Sequence, residues 1–240
     1  MDSTLITGAE KLQNVCLEAL RAYRTLCPQH AKQMSSLLLP DTLKLLPLYT
    51  LGLMKSALFT SAAISADERS HYLYLFSTMT VPHSTALVHP RLVQLHPPAQ
   101  QMSPPPTELP RLLALTVNVL TTEGAYLLED GLSLTLWLGS GVSTDFLQGA
   151  FGWPTLENVD ASTLRLLPKD ASPLAGYIHA ICELLGAHRV GGYLALRVCK
   201  QGDGSDGVFM RGLIEDQTRQ MMAYPEFLTH CHRFILSKVA

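Results

Sequence analysis

The 240-residue sequence lacks features that would place it in three common classes of protein. Its formal net charge is −2, so no strongly basic field is available to hold nucleic acid or an anionic bilayer by electrostatics alone. A helix needs roughly 20 apolar residues to cross a bilayer, and the most apolar stretch, at 45–54, lies between Lys44 and Lys55. The N-terminal residues show neither a basic n-region nor an apolar h-region, so we predict no secretory signal.

Cysteine is present in a pattern that excludes the usual cross-links. The five cysteines are odd in number and widely spaced, and no Cys-x-x-Cys pair occurs. Neither a disulfide framework nor a zinc knuckle is therefore indicated, and a reduced, cytosolic compartment is expected. These residues are Cys16, Cys27, Cys182, Cys199 and Cys231.

Nucleotide-binding and hydrolase motifs are also missing. The sequence has no Walker-type Gly-Lys-Ser/Thr and no Gly-x-Ser-x-Gly. The stretch GSGVST at 139–144 resembles the start of a dinucleotide-binding loop, but Thr144 stands at the third glycine position. We interpret Gly139 and Gly141 as turn residues, and no set of catalytic residues is evident.

Three histidine, cysteine or aspartate patterns raise the possibility of a metal site. His230 and His232 are two apart on a predicted helix, where side chains point about 200° apart, so they cannot share a cation. His179 and Cys182 are three apart, but a structural zinc site needs four ligands, and we interpret Cys182 as a packed core cysteine. DGSDG at 203–207 lacks the acidic spacing and terminal Glu of a calcium loop, so we predict a hairpin turn.

The first third of the chain has helical periodicity. An amphipathic stripe begins at Leu12, and a second helix is predicted with Pro47 in its first turn, running to about Leu58. Ser65 and Glu68 have capping-box spacing in front of a third helix. The apolar face of that helix carries Tyr72, Leu75, Phe76 and Met79.

A proline-rich stretch at 97–110 separates this part from the rest. It contains six prolines among polar residues, which disfavours both a helix and a central strand. We therefore predict a connection between two domains here.

The remainder mixes strands and helices. Asp130-Gly131 is a strong hairpin signal between two apolar runs, and Ser143 and Ser172-Pro173 are helix-start signals. The predicted strands are 111–117, 125–129, 132–138, 192–199 and 207–214, and the predicted helices are 143–151, one from 172 and one from 225. Hairpins with two or three helices indicate an α+β domain and not a βαβ nucleotide-binding fold.

Taken in order, six segments resemble the C-terminal part of the cargo-adaptor subunit of the COPII vesicle coat. No single motif is decisive, but the resemblance covers nearly the whole chain. The segments are LPDTLKLLPLYTLGLMKS, ADERSHYLYLFSTM, HPRLVQLH, EGAYLLEDGLSLTLWLG, LIEDQT and YPEFLTHCHRFI.

The resemblance implies a multidomain organisation with an all-α helical domain followed by an α+β gelsolin-like domain. We expect the helical domain at 1–88, the proline-rich connection at 89–110 and the gelsolin-like domain at 111–240. GAYLLEDGLSLTLWLG would then be the central hairpin of the gelsolin-like fold. The chain is expected to be a C-terminal fragment, with the family's zinc finger lying upstream and no cofactor within this part.

The function implied by the resemblance is that of a non-enzymatic inner-coat adaptor in transport from the endoplasmic reticulum to the Golgi. Such an adaptor works on the cytosolic face as a peripheral membrane protein at exit sites and on vesicles. Its implied partners are the coat's GTPase-activating subunit, cargo or SNARE proteins through the intact protein, and the coat's small GTPase indirectly. Nucleic acid is not among them.

Two alternatives follow from related architectures. Calcium-binding gelsolin repeats commonly carry an Asp ligand where this chain has Gly124, so actin severing is a weak interpretation. A gelsolin-like regulator of a small GTPase would need an arginine finger, for which Arg211 is the nearest candidate. Arg211 alternates with Phe209 and Leu213 on the predicted last strand, so we favour the simpler interpretation that it lines the edge of the sheet.

The sequence offers one candidate contact for a partner or cargo. Phe209 and Arg211 share a face of the predicted last strand, and Glu215 and Asp216 follow it. An aromatic residue beside a guanidinium is enriched at interface hot spots, and the acidic pair could orient a basic peptide. The alternative is that Phe209 belongs to the core and the acidic pair is a solvated strand end.

Overall fold

A computed structural model describes residues 3–26, 39–60, 64–97, 105–187 and 194–239. Its contacts divide the chain into two compact units, one formed by Met1–Thr80 with Ile214–Ala240 and the other by Val81–Leu213. Among the described residues, no helix is long and apolar enough to cross a membrane.

The helices and strands follow one another as a helical stretch, a mixed stretch and a final helix. In chain order they are α1 (Ser3–Leu26), α2 (Leu46–Lys55), α3 (Ala66–Thr78), α4 (Val81–Val88), β1 (Arg91–His96), β2 (Ala125–Glu129), β3 (Ser133–Leu138), α5 (Thr144–Phe151), α6 (Pro173–Gly186), β4 (Ala195–Lys200), α7 (Gly207–Arg211) and α8 (Tyr224–Val239). Short 3₁₀ turns lie at Val117–Val119 and Ala161–Thr163.

The local signals of the first unit are confirmed. Pro47 stands in the first turn of α2, where its missing N–H is not needed. The Ser65 hydroxyl accepts the Glu68 N–H at 3.1 Å and caps α3. The predicted apolar face of α3 is only half-buried, because none of the described residues of this helix is fully buried.

The core of the first unit combines α1 and α2 with the last helix of the chain. Phe227, Cys231 and Ile235 of α8 are 1%, 0% and 0% exposed in the same apolar cluster as Leu20 and Leu51. The domain ranges expected from the resemblance place this helix within 111–240, so the compact units divide the chain differently. Long-range packing of this kind leaves no local signal in the sequence.

The second unit is built on a four-stranded sheet with the order β1-β2-β3-β4. The first two pairings are antiparallel and β3 pairs with β4 in parallel. Helices α5 and α6 cover one face, where the core includes Leu136, Phe146 and Ile178. An all-α part with a separate α+β part is the predicted fold class, which is confirmed.

Both predicted helix caps of this unit are confirmed. The Ser143 hydroxyl accepts the Phe146 N–H at 3.3 Å, and the Ser172 hydroxyl accepts the Ala175 N–H at 2.9 Å with Pro173 next to it. Helix α5 ends at Gly152, whose φ of 74° is accessible to glycine at little cost.

Two strand predictions need correction. The range 207–214 holds helix α7 at Gly207–Arg211 and no strand, and the Gly212 N–H closes the helix by donating to Phe209 O at 3.0 Å. The range 111–117 contributes one bridge, Leu92 to Leu113, and no longer strand. Strand β1 lies inside the predicted connection 89–110, of which 98–104 falls outside the described residues. Short apolar runs do not distinguish a strand from a helical turn.

Candidate partner-binding surface

The predicted contact residues do not form one surface within either unit. Phe209 and Arg211 belong to the second unit, and Glu215 and Asp216 belong to the first. Phe209 is 0% exposed and stacks on Trp137. It is therefore a core residue, and the prediction of a strand face shared by Phe209 and Arg211 is wrong.

Arg211 is the exposed last residue of α7. The next residue, Gly212, lies so close to Leu128 of the sheet that a Cβ would overlap that side chain. This close approach fixes the end of α7 against β2. The guanidinium of Arg211 remains an exposed charge, and its role in partner contact stays a prediction.

The acidic pair lies beside a lysine that the sequence did not single out. Lys55 Nζ donates to the backbone oxygens of Ile214 at 2.7 Å and Asp216 at 2.6 Å. Burial lowers the pKa of Lys55 to about 8, while the charges of Asp216 and Glu215 act in the opposite direction. The segment 214–216 is thus attached to the end of α2 by a partly desolvated ammonium.

The hairpin between β2 and β3 uses its polar residues for structure. Glu129 is 1% exposed, pairs with Arg91 at 2.8 Å and accepts the Gly131 N–H at 3.1 Å. Asp130 accepts the N–H of Ser133 at 2.7 Å. Gly131 has a φ of 86° and lies against the backbone of Leu87. The Glu-Asp-Gly stretch therefore builds a turn.

The second glycine turn is equally structural. A Cβ at Gly139 would overlap the Thr122 carbonyl, and the Gly141 N–H donates to that same oxygen at 2.8 Å. The close approach accounts for the glycine at 139, whereas Gly141 takes part through a backbone N–H that any residue except proline supplies.

Gly124 is held by its neighbour Tyr126. A Cβ at position 124 would overlap the ring and hydroxyl of that tyrosine. The hydroxyl donates to Val119 O at 3.0 Å and accepts the Thr121 N–H at 3.1 Å, which fixes the ring in place. The position that carries an Asp ligand in calcium-binding repeats therefore has no room here for a side chain.

Two of the histidines that the sequence raised as metal ligands, and Cys182, have other contacts. His230 hydrogen-bonds Gln13 at 2.8 Å, and His179 hydrogen-bonds Leu167 O at 2.9 Å. Burial raises the pKa of Cys182 to about 12, as expected for a packed thiol. Within the ranges that the structure describes, no three His, Cys, Asp or Glu side chains are grouped so as to hold a metal ion.

A groove of about 750 Å³ lies beside β4 in the second unit. Its lining includes Leu164 and Leu166 together with Leu196, Arg197 and Val198 of the strand. Sequence reasoning identified the strand and missed the groove. The available signal was the alternation of Leu194, Leu196 and Val198 with Arg197, which is typical of a strand with two different faces.

The comparisons with known proteins account for both parts of the chain. Residues 1–86 match the family model described as the Sec23/Sec24 helical domain. The Arabidopsis thaliana protein transport protein SEC24 C is 32% identical over 96% of this chain and 21% of its own length. The chain is thus similar to Sec24 proteins over almost all of its residues.

Human Sec24 proteins show the same relationship. The human protein transport protein Sec24C is 32% identical over 98% of this chain and 21% of its own length. The crystal structure of the human COPII-coat protein Sec24c is 28% identical and matches with a TM-score of 0.84, covering 98% of this chain and 30% of that chain. The chain thus spans about a fifth of the length of the curated Sec24 relatives. The family resemblance predicted from the sequence is confirmed.

Proposed function

We propose that the chain is part of a COPII cargo adaptor and supports cargo selection and vesicle formation between the endoplasmic reticulum and the Golgi. The observation that carries this proposal is similarity to Sec24 proteins along almost the entire chain, through both compact units. Agreement in fold across both units supports a shared role more strongly than a match to one domain would.

The role is that of a scaffold without chemistry of its own. Two half-buried cations stabilise the fold: Arg91 joins Glu129 to the Leu185 carbonyl, and Lys200 donates to the Val159 carbonyl at 2.6 Å. These contacts hold loops and strands in fixed positions, which is what a surface that presents binding sites requires.

The partners follow from the same proposal. The intact adaptor would pair with the coat's GTPase-activating subunit, bind cargo or SNARE proteins, and meet the coat's small GTPase indirectly. It would act as a peripheral protein on the cytosolic face of exit sites and COPII vesicles. The zinc site of the intact adaptor would lie upstream of this 240-residue stretch.

A chimera tests this proposal directly. Human Sec24C in which the matching stretch is replaced by this chain should copurify with the GTPase-activating subunit and package a panel of cargo from microsomes. Sec24C lacking the stretch altogether is the control and should fail. A chimera that folds and copurifies but packages none of the panel would contradict an adaptor role.

A further inference from the structure

Strand β4 has one described neighbour in the sheet, β3, and its other side is an edge. The Gln201 N–H donates to Leu138 O at 2.9 Å, which fixes the side of the backbone that faces β3. Backbone groups of a strand alternate in direction along the chain. Leu196 and Val198 therefore direct their N–H and C=O groups away from β3.

Lys200, two residues after Val198, confirms that this alternate set of residues directs its backbone groups away from β3. Lys200 also points its N–H away from β3, and that group donates to the Ser205 hydroxyl at 3.2 Å. The end of the edge is thus closed by a side chain. Leu196 and Val198 lie before Lys200 in the strand. Among the described residues, no further strand pairs with the N–H and C=O groups that these two residues direct away from β3.

The 750 Å³ groove follows this edge. Its lining combines Leu196 and Val198, which pack toward α6, with Arg197 and Cys199, which lie on the opposite face of the sheet. A cavity lined from both faces of a strand must pass along the strand's edge. Leu164 and Leu166 add apolar surface beside it.

The opposite edge of the sheet is protected. The Leu113 N–H donates to Leu92 O at 2.9 Å, so the chain before the 3₁₀ turn pairs with β1. Proteins usually cover or charge their edge strands because an open edge templates pairing with another chain. Here the β1 edge carries one bridge, and the β4 edge lies beside the turn Ala161–Thr163 and faces an apolar groove.

The charges beside the groove favour an acidic partner. Glu183 is neutralised by Lys169 at 2.8 Å, and Arg165 donates to the carbonyls of Ser162 and Leu164. Arg197 is exposed in the middle of β4. An incoming chain would therefore meet a guanidinium directly beside the free backbone groups.

We propose that the groove binds an extended peptide segment of a partner protein, which adds to β4 as a further strand. The backbone of the segment pairs with Leu196 and Val198, its apolar side chains lie in the groove, and an acidic side chain pairs with Arg197. The inference rests on the geometry of the edge and does not depend on the coat role.

Selection from a phage-displayed library of random decapeptides on the full chain provides the probe. The enriched peptides should share alternating apolar residues with at least one Asp or Glu. On binding, the amides of Leu196 and Val198 should become protected from hydrogen exchange. A library that yields no peptide, or peptides that leave these two amides unprotected, would overturn the proposal.

Two variants separate backbone pairing from charge. Val198→Pro removes an edge N–H without touching the bonds to β3, and affinity for the selected peptides should fall about tenfold. Arg197→Glu should weaken acidic peptides by a similar factor, whereas Arg111→Glu, at an exposed arginine of the same unit outside the groove lining, should leave affinity unchanged. Equal loss in both arginine variants would count against the groove.

Analytical ultracentrifugation tests whether a second copy of the chain, instead of a partner peptide, occupies the groove. The chain should remain monomeric at the concentrations used for peptide binding. If it dimerises and Val198→Pro abolishes the dimer, a second copy pairs with β4 and the proposal of a partner peptide fails.

Discussion

The ring of Phe209 stacks on that of Trp137, with centroids 5.8 Å apart and an interplanar angle of 20°. This contact attaches α7 to the face of the sheet opposite α5 and α6. Tyr126 extends the aromatic group at 5.8 Å from Trp137. The residue that the sequence suggested for partner contact is therefore a structural link between α7 and β3.

Truncation of the Phe209 side chain should destabilise the second unit. Phe209→Ala is expected to lower the free energy of unfolding by about 3–5 kcal/mol, because it leaves a cavity beside Trp137. Urea denaturation followed by tryptophan fluorescence measures the change. Arg211→Ala, two residues away and exposed, is the control and should change stability by less than about 0.5 kcal/mol. Similar values for the two variants would contradict the assignment of Phe209 to the core.

The close packing of Gly124 against Tyr126 predicts that a side chain at position 124 destabilises the fold. It also predicts that no calcium binds there. Gly124→Ala should cost about 1–3 kcal/mol because the added methyl overlaps Tyr126, whereas Gly207→Ala adds its methyl in open space and should cost much less. Thermal melts compare the two. Calorimetry on the unmodified chain should show no micromolar calcium binding, and a calcium-dependent rise in Tm would contradict this.

Lys55 predicts a pH-dependent contribution to stability. Its folded pKa of about 8 lies below the ordinary value, so above that pH the unfolded chain holds more protons than the folded one. Stability from this residue therefore rises as the pH increases from about 8 to about 10. Between those two pH values, the free energy of unfolding of the unmodified chain should rise relative to that of Lys55→Met.

Lys44→Met is the matched control for the lysine. Its side chain is 62% exposed and its partner Asp41 is 90% exposed, so its effect should be nearly the same at both pH values. If the unfolding free energy of the unmodified chain relative to Lys55→Met stays constant or falls as the pH rises, burial does not disfavour the charged amine.

The proline-rich stretch should be the first site of proteolysis. The six prolines at 97–110 have no backbone N–H to donate, and proteases prefer segments with few backbone hydrogen bonds. Brief digestion followed by mass determination of the fragments should place the first cut within that range. Early cleavage inside α1 or α6, with the stretch intact, would contradict the prediction.

The adaptor proposal also predicts that the chain does not stimulate a GTPase. A single-turnover assay with the coat's small GTPase should give the same hydrolysis rate with and without the chain. An arginine finger typically raises the rate by about 10³-fold or more. A large acceleration that disappears in Arg211→Ala would support the regulator hypothesis instead.

Local signals in the sequence predicted much of the fold. Ser143 and Ser172 cap their helices as expected, and Asp130-Gly131 forms its turn, because each signal involves residues within a few positions of one another. The family resemblance added the two-part organisation. What failed was the assignment of α7, where the short apolar run at 208–210 fits either structure.

The groove and the place of α8 could not be read from local patterns. The hydrogen bond between Gln13 and His230 joins residues 217 positions apart, and no local sequence pattern near either residue predicts it. The β4 edge depends on which strand pairs with which, since only the sheet order shows that Leu196 and Val198 face no other described strand. Both features are consequences of tertiary arrangement.

The packing of α8 on α1 and α2 has a consequence for the order of folding during synthesis. Helix α1 leaves the ribosome before α8, and its apolar face gains Phe227 and Ile235 only when α8 emerges. The Val81–Leu213 unit, whose segments are contiguous, is complete before that point. We therefore expect the sheet to fold first, while Leu17 and Leu20 of the nascent helix need temporary shielding.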